Sequence, residues 1–152
     1  ATTEIYTLSL HDALPIYLGK LSGPMLDRID LFSEVPPLEF ENLADRSPGE
    51  PSAAIRARVT KARERQSKRF GPDGPHCNAA MGQAEIRRFC ALDDEGQALM
   101  KGAYEHMGLT ARSYDRILRV ARTIADLDES ENIQTHHLAE AIQYRETEYF
   151  SV

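Results

Sequence analysis

The sequence predicts a mainly α-helical protein, and three observations support this fold class. Apolar residues recur at helical spacing in five segments between residues 51 and 145. Residues that favour helix starts, Asp93, Thr110 and Thr135, precede three of those segments. Downstream of residue 16, one short segment, Ile29–Val35, alternates with the period of two that is typical of a strand.

Composition and charge restrict the function classes. The chain has 152 residues, of which 41% are hydrophobic and 28% charged, as expected for one ordinary domain. A net charge of −6 argues against a protein that coats nucleic acid indiscriminately. No apolar run is long enough to span a bilayer, so no membrane association is expected.

The two cysteines, Cys77 and Cys90, are too few for a disulfide scaffold. They fit a reducing compartment, and a cytoplasmic location is expected. His76 stands beside Cys77, but no second Cys/His pair completes a metal site. We therefore interpret both cysteines as unpaired structural or loop thiols and predict no metal site.

The first sixteen residues, Ala1–Ile16, resemble the translation of a sequencing-library adapter over their whole length. Such segments are excluded before a fold is argued. The alternative is a genuine short strand over residues 3–10. On the adapter interpretation, the chain is a fragment of a longer gene.

Residues 17–50 contain little predicted structure. Gly19–Arg28 is expected to form a short helix, with Pro24 in its first turn. The strand Ile29–Val35 follows and ends at Pro36 and Pro37. The polar segment Glu39–Glu50 is predicted to be a linker.

A long basic helix is predicted over Pro51–Phe70, ending at Gly71. Its apolar stripe is thin and consists of Ile55, Val59 and Ala62. Seven cations cover the remainder, against the single acid Glu64: Arg56, Arg58, Lys61, Arg63, Arg65, Lys68 and Arg69. A solvated face is the default interpretation, and contact with a polyanion or an acidic neighbouring subunit is the alternative.

Four shorter helices are predicted after a loop over Gly71–Met81. They are Gln83–Ala91, a helix capped by Asp93 that ends at Gly108, a helix from Thr110 to about Leu127, and a helix capped by Thr135. The residues expected to face inward are Ile86, Phe89, Cys90, Leu99, Met100, Ala103, Met107, Leu138, Ala141 and Ile142. Four short amphipathic helices in sequence predict a small bundle.

The helix after Thr110 carries arginines on the side opposite its apolar residues: Arg112, Arg116 and Arg119. Arg112 lies in the first turn, where the helix dipole makes a cation mildly unfavourable. An arginine at this position is well suited to an anion, phosphate above all. A solvated face with Asp115 paired to Arg119 is the alternative, and spacing alone favours it.

Five stretches, in order, resemble the C-terminal part of AAA+ ATPases of the magnesium-chelatase-like group, in the ComM (YifB) branch. They are Ser22–Asp30 (SGPMLDRID), Ala62–Gln66 (ARERQ), Glu85–Cys90 (EIRRFC), Leu109–Asp128 and Thr135–Arg145. The resemblance runs from Tyr17 to Arg145, and the tail Glu146–Val152 departs from it. It implies the end of an AAA+ core at residues 17–38, a linker at 39–50 and a helical lid domain at 51–145.

The resemblance assigns roles to two arginines. Arg28 falls where the family places its arginine finger, a residue that reaches into the ATP site of the next subunit and stabilises charge on the transferred phosphoryl group. Arg112 falls at the sensor-2 position, where a lid-helix arginine contacts the phosphates of ATP. Asp27 is expected to orient Arg28 or a neighbour, not to act as a base.

The resemblance also implies a hexameric, ATP-driven motor that moves DNA branch points in recombination and natural transformation. ATP and Mg²⁺ would be the cofactors of the full-length protein, and Arg56, Lys61, Arg63 and Lys68 would face DNA or a neighbouring subunit. The chain contains no G-x-x-x-x-G-K-[ST] loop and no apolar strand ending in Asp-Glu. The fragment alone is therefore expected to bind no nucleotide and to be inactive.

Two other functions are considered. One is the motor subunit of a magnesium or cobalt chelatase, which would work with a porphyrin-binding partner. The other is a stand-alone helical DNA-binding module, which would bind DNA tightly and salt-sensitively without ATP.

Overall fold

The computed structural model describes residues 28–33 and 49–145. Those residues contain five α-helices and one 3-10 turn, which confirms the mainly helical fold. The elements are α1 (Ser52–Phe70), the 3-10 turn (Asn78–Ala80), α2 (Gln83–Phe89), α3 (Asp94–Met107), α4 (Ala111–Leu127) and α5 (Thr135–Gln143).

Helix α1 ends at Gly71, whose positive φ of 69° suits glycine and whose N–H donates to the Ser67 carbonyl (3.0 Å). The expected apolar stripe is only partly buried. Ile55 and Val59 are 43% and 46% exposed, whereas Ala62 is buried. Only the second half of α1 therefore packs against the bundle, on α4.

The predicted caps of α3 and α4 are confirmed. Asp93 Oδ1 accepts a hydrogen bond from the Gly96 N–H (2.8 Å), and Thr110 Oγ1 accepts one from the Ser113 N–H (3.1 Å). Helix α3 ends at Gly108, which has a left-handed φ of 59°. Each cap satisfies an amide that the helix itself leaves unpaired.

The predicted cap of α5 is wrong by one residue. Gln134 is the N-cap, and its backbone N–H donates to Nδ1 of His137 (3.0 Å). The imidazole ring thus satisfies the backbone amide of the N-cap residue itself, which is a different amide from those that a capping Thr135 hydroxyl would satisfy. Thr135 is instead the first residue of the helix.

Helices α4 and α5 form the centre of the core. Ile117, Ala121, Leu138 and Ala141 are fully buried, and Ile142 is 8% exposed, so the inward face predicted for α5 is confirmed. Burying one such Ile or Leu side chain contributes about 1.5–3 kcal/mol. The other buried apolar residues are Ala62, Met81, Ile86, Cys90, Met100, Leu118, Ala125 and Ile133.

Several predictions fall outside the described residues. These are the adapter interpretation of 1–16, the helix over Gly19–Arg28 apart from Arg28 itself, the linker up to residue 48, and the tail 146–152. The strand Ile29–Val35 stays a prediction: residues 29–33 carry no strand assignment, and the others are not described. Leu31, which lies within the predicted strand, is 51% exposed.

Candidate nucleotide-contacting and anion-binding residues

Three of the four arginines on α4 have partners. Arg119 donates to the Met81 carbonyl (2.7 Å), Arg116 pairs with Asp30, and Arg122 donates to two carbonyls in the α4–α5 loop (2.8 Å each). The expected Asp115–Arg119 pair is not formed, because Asp115 accepts from the Gln83 amide. The solvated-face interpretation is therefore wrong for Arg116 and Arg119, which are half-buried.

Arg112 differs from those three. It is exposed in the first turn of α4, beside the cap formed by Thr110 and Ser113. Among the described residues it has no hydrogen-bond or ion-pair partner. Its guanidinium and the first-turn amides are both positive, so this helix start suits an anionic ligand.

Arg28 is also exposed, at the start of the segment 28–33. That segment is attached to the bundle at several points. The Phe32 N–H donates to the Tyr144 carbonyl (2.8 Å), and Arg145 donates to the Ile29 carbonyl. The Arg145 guanidinium also lies 5.5 Å from the centre of the Phe32 ring.

The seven cations of α1 do not form one solvated face. Arg58 makes a bidentate ion pair with Glu50 (2.6 and 2.9 Å), and Lys61 pairs with Glu129 (2.9 Å). Arg56 and Arg63 are exposed and, within the described residues, unpaired. Of the four positions predicted to face DNA or a neighbour, Lys61 is thus partly neutralised.

A basic groove lies along the second half of α1. Arg65 and Lys68 of α1 face Arg88 and Phe89 of α2 across it, and Glu131 is an acid on its wall. Arg88 lies 4.9 Å from the centre of the Phe89 ring. Arg69 and Arg122 also line the groove, so five cations stand against the acid Glu131 among its described lining residues. The groove is therefore electropositive, and sequence reasoning did not predict it because its residues come from helices that are far apart in the sequence.

A buried ionic network was also missed by sequence reasoning. Asp126 is fully buried and accepts hydrogen bonds from both terminal nitrogens of Arg69 and from the Asn78 amide (2.8 Å), with Arg122 3.1 Å away. Burial alone would raise the pKa of Asp126. The hydrogen bonds from Arg69 and Asn78 and the Arg122 charge outweigh burial and hold this pKa below its ordinary value.

A signal for this network was present in the sequence. Arg122 and Asp126 lie four residues apart on α4, beside the apolar residues Leu118 and Ala125. A carboxylate at such a position needs a cationic partner. Arg69, one of the seven cations of α1, supplies a second cationic partner for Asp126.

Asp128, His136 and His137 are close enough together to resemble a metal site. However, His137 Nδ1 accepts from the Gln134 N–H, so in the neutral ring the proton lies on Nε2. Nε2 then donates to Asp128 (3.0 Å) and offers no lone pair to a metal. We interpret the trio as the cap of α5, in which the His137 hydrogen bond lowers the pKa of Asp128.

The two cysteines occupy different environments. Cys90 is buried, and burial raises the pKa of its thiol to about 11. It is therefore a protonated core residue, since thiolate is the reactive form. Cys77 is half-buried and unpaired.

Together, the structure defines a small helical domain whose central helix begins with an exposed arginine. A family model described as "Magnesium chelatase, subunit ChlI C-terminal" matches residues 49–145. The chain belongs to this family, as the resemblance implied. None of the described helices is long and apolar enough to cross a membrane.

Individual relatives place the chain in the ComM branch. It is 46% identical over 131 residues to the protein YifB of Escherichia coli K12, and 46% identical over 132 residues to the competence protein ComM of Haemophilus influenzae. Each match covers 85% of this chain and 25% of the relative. A Mycobacterium bovis protein, Mb2921c, is 34% identical over 131 residues, or 86% of this chain and 26% of that protein. The chain thus spans about a quarter of the length of these relatives.

Proposed function

We propose that the chain is the lid-bearing C-terminal part of a ring-forming, hexameric AAA+ ATPase of the ComM type. In this proposal Arg112 contacts the phosphates of ATP bound by its own subunit, and Arg28 reaches the ATP site of the neighbouring subunit. ATP and Mg²⁺ would be bound mainly by the preceding part of the parent protein. The bond broken would be the terminal phosphoanhydride of ATP, and the work done would be movement of DNA branch points.

The contrast among the arginines of α4 carries this proposal. Arg116, Arg119 and Arg122 each have described partners, whereas Arg112 is exposed and has none. A cation in a first turn opposes the helix dipole, so an anionic ligand gives it a role that the fold alone does not. Arg28 is likewise exposed and able to act outside its own chain.

Identity to the competence protein ComM favours the DNA motor over the chelatase motor. Basic residues also support a DNA-facing surface: Arg56 and Arg63 lie seven residues apart, on one face of α1, and are unpaired within the described residues. Lys68 adds a cation at the edge of the basic groove. Phosphates would be bound there through charge, without base recognition.

The ATP role is tested by Arg112→Ala in the intact parent protein, with Arg87→Ala as the matched control. Arg87 is an exposed arginine on α2 without a described partner. We expect Arg112→Ala to weaken nucleotide binding and to lower turnover, measured by nucleotide titration and steady-state hydrolysis. Equal behaviour of the two variants would refute the assignment of Arg112.

The DNA role is tested by changing Arg56, Lys61, Arg63 and Lys68 together to Gln in the parent protein. Each lost phosphate contact lowers the slope of log affinity against log salt by about 0.9 for duplex DNA. We expect weaker DNA binding and a flatter salt dependence. Unchanged DNA affinity with failed oligomerisation would assign the helix to a subunit interface instead.

A further inference from the structure

We infer that Arg145 is a positioning residue that connects the two proposed ATP-contacting arginines through a single guanidinium group. This inference rests on the proposed function, because it concerns how Arg28 is held relative to Arg112. It adds a mechanical link between a subunit's own nucleotide and the arginine that the subunit offers to its neighbour.

The two ends of the Arg145 guanidinium bind next to the two arginines. Its Nη1 donates to the carbonyl of Ile29, the residue that follows Arg28. Its Nη2 donates to Oγ of Ser113 (3.0 Å), the residue that follows Arg112. One rigid fork therefore fixes the backbone beside Arg28 relative to the first turn of α4.

Ser113 is held firmly within the first turn of α4. Ser113 is 2% exposed, and its N–H is held by the Thr110 cap (3.1 Å). A displacement of this turn by a ligand on Arg112 would therefore move Ser113, and the fork would pass that displacement to Ile29. A flexible or solvated turn could not do this.

The ion pair between Arg116 and Asp30 is a second connection between α4 and the segment 28–33, in addition to Arg145. Arg116 lies four residues after Arg112 on the same face of α4, about 6 Å along the helix axis. It pairs with Asp30, two residues after Arg28, and its side chain is only 17% exposed. The Phe32 N–H, bonded to the Tyr144 carbonyl (2.8 Å), limits rotation of the segment about these contacts.

The geometry matters because catalysis by a transition-state cation depends on its placement. A misplacement of about 1 Å can reduce a rate by about a hundredfold. Lysine cannot replace Arg145, since a single ammonium on a flexible stem does not reproduce the planar fork. Arg145→Lys therefore keeps the charge and removes the link.

The first arm of the test measures the link directly in the intact parent protein. We expect Arg145→Ala and Arg145→Lys to accelerate amide hydrogen exchange of residues 29–33 several-fold, while Arg87→Ala leaves it unchanged. Exchange that is unchanged in both Arg145 variants would overturn the link. Full protection in Arg145→Lys would also overturn it, because charge alone would then suffice.

The second arm measures turnover in mixed rings. Each variant is mixed with a subunit whose phosphate-binding loop is disabled but whose Arg28 is intact. We expect Arg145→Ala to reduce turnover alone by about ten- to a hundredfold. When Arg145→Ala is mixed with the loop-disabled subunit, we expect hydrolysis to rise to the level reached by Arg28→Ala in the same mixture. The reason is that the loop-disabled subunit supplies a correctly placed Arg28.

The possible outcomes distinguish the proposed finger role of Arg28 from the link made by Arg145. If Arg28→Ala recovers on mixing and Arg145→Ala does not, Arg145 serves its own subunit's pocket or stability, and the link is refuted. If Arg28→Ala itself fails to recover, the proposed finger role is refuted, and the inference falls with it. Recovery of both variants, together with faster exchange in residues 29–33, supports the link.

Discussion

The substitution Asp126→Asn should destabilise the chain strongly although it preserves side-chain shape. Within the described residues, Asp126 is the only acid of a network with Arg69 and Arg122, whose side chains are 14% and 3% exposed. With the carboxylate present the three charges sum to +1, and without it two buried cations face each other. Removing one partner of a buried pair costs about 3–5 kcal/mol.

The assay is thermal unfolding of this chain, followed by helical circular dichroism. For a domain of about 100 residues, each kcal/mol corresponds to about 4 °C or more, so we expect Tm to fall by about 12 °C or more. Glu64→Gln is the matched control, because it removes one exposed negative charge from α1. If both variants lower Tm equally, Asp126 is not part of a stabilising buried network.

Because the pKa of Asp126 is lowered in the folded state, its contribution to stability is fully present above the ordinary value of 3.8 and is lost as pH falls through the lower folded-state value. Measurements of unfolding at decreasing pH should show this loss in the wild type and not in Asp126→Asn. Deleting Ala1–Ile16 should leave Tm nearly unchanged, and a loss of several degrees, about a kcal/mol, would mean that these residues are structural. The purified chain should show no ATP turnover above buffer, and hydrolysis that survives removal of contaminating ATPases would refute the fragment interpretation.

Local chemistry made most of the helix boundaries predictable. Asp93 and Thr110 each lie three residues before the amide that they cap, so both caps could be predicted from the local sequence. Gly108 ends α3 for an equally local reason, its left-handed φ. The cap of α5 was misplaced because the helix begins one residue earlier than predicted: Gln134 is the N-cap, its N–H is satisfied by the His137 ring, and residue type alone did not indicate a glutamine there.

Non-local partners made the arginines harder to predict. Arg69 and Asp126 are 57 residues apart, and nothing in α1 alone distinguishes Arg69 from the six other cations. Arg116 and Asp30 are 86 residues apart, so their pairing depends on how the segment 28–33 lies against α4. The position of Arg112 in the first turn of α4 was predictable from the sequence. Its lack of a described partner was not, because the sequence does not show that Arg116, Arg119 and Arg122 have partners while Arg112 has none.

The exposed half of α1 bears on how the proposed motor would be built. Ile55 and Val59 lie four residues apart on the face that continues into buried Ala62 and Gln66. Ile55 is 43% exposed and Val59 is 46% exposed, because this half of α1 extends beyond the bundle. The helix therefore presents its apolar side on one face and Arg56 and Arg63, which have no partner in the described part of the chain, on another. In the proposed ring, α1 could pack its apolar side against protein while those cations stay accessible to DNA, because the two faces do not compete for the same surface.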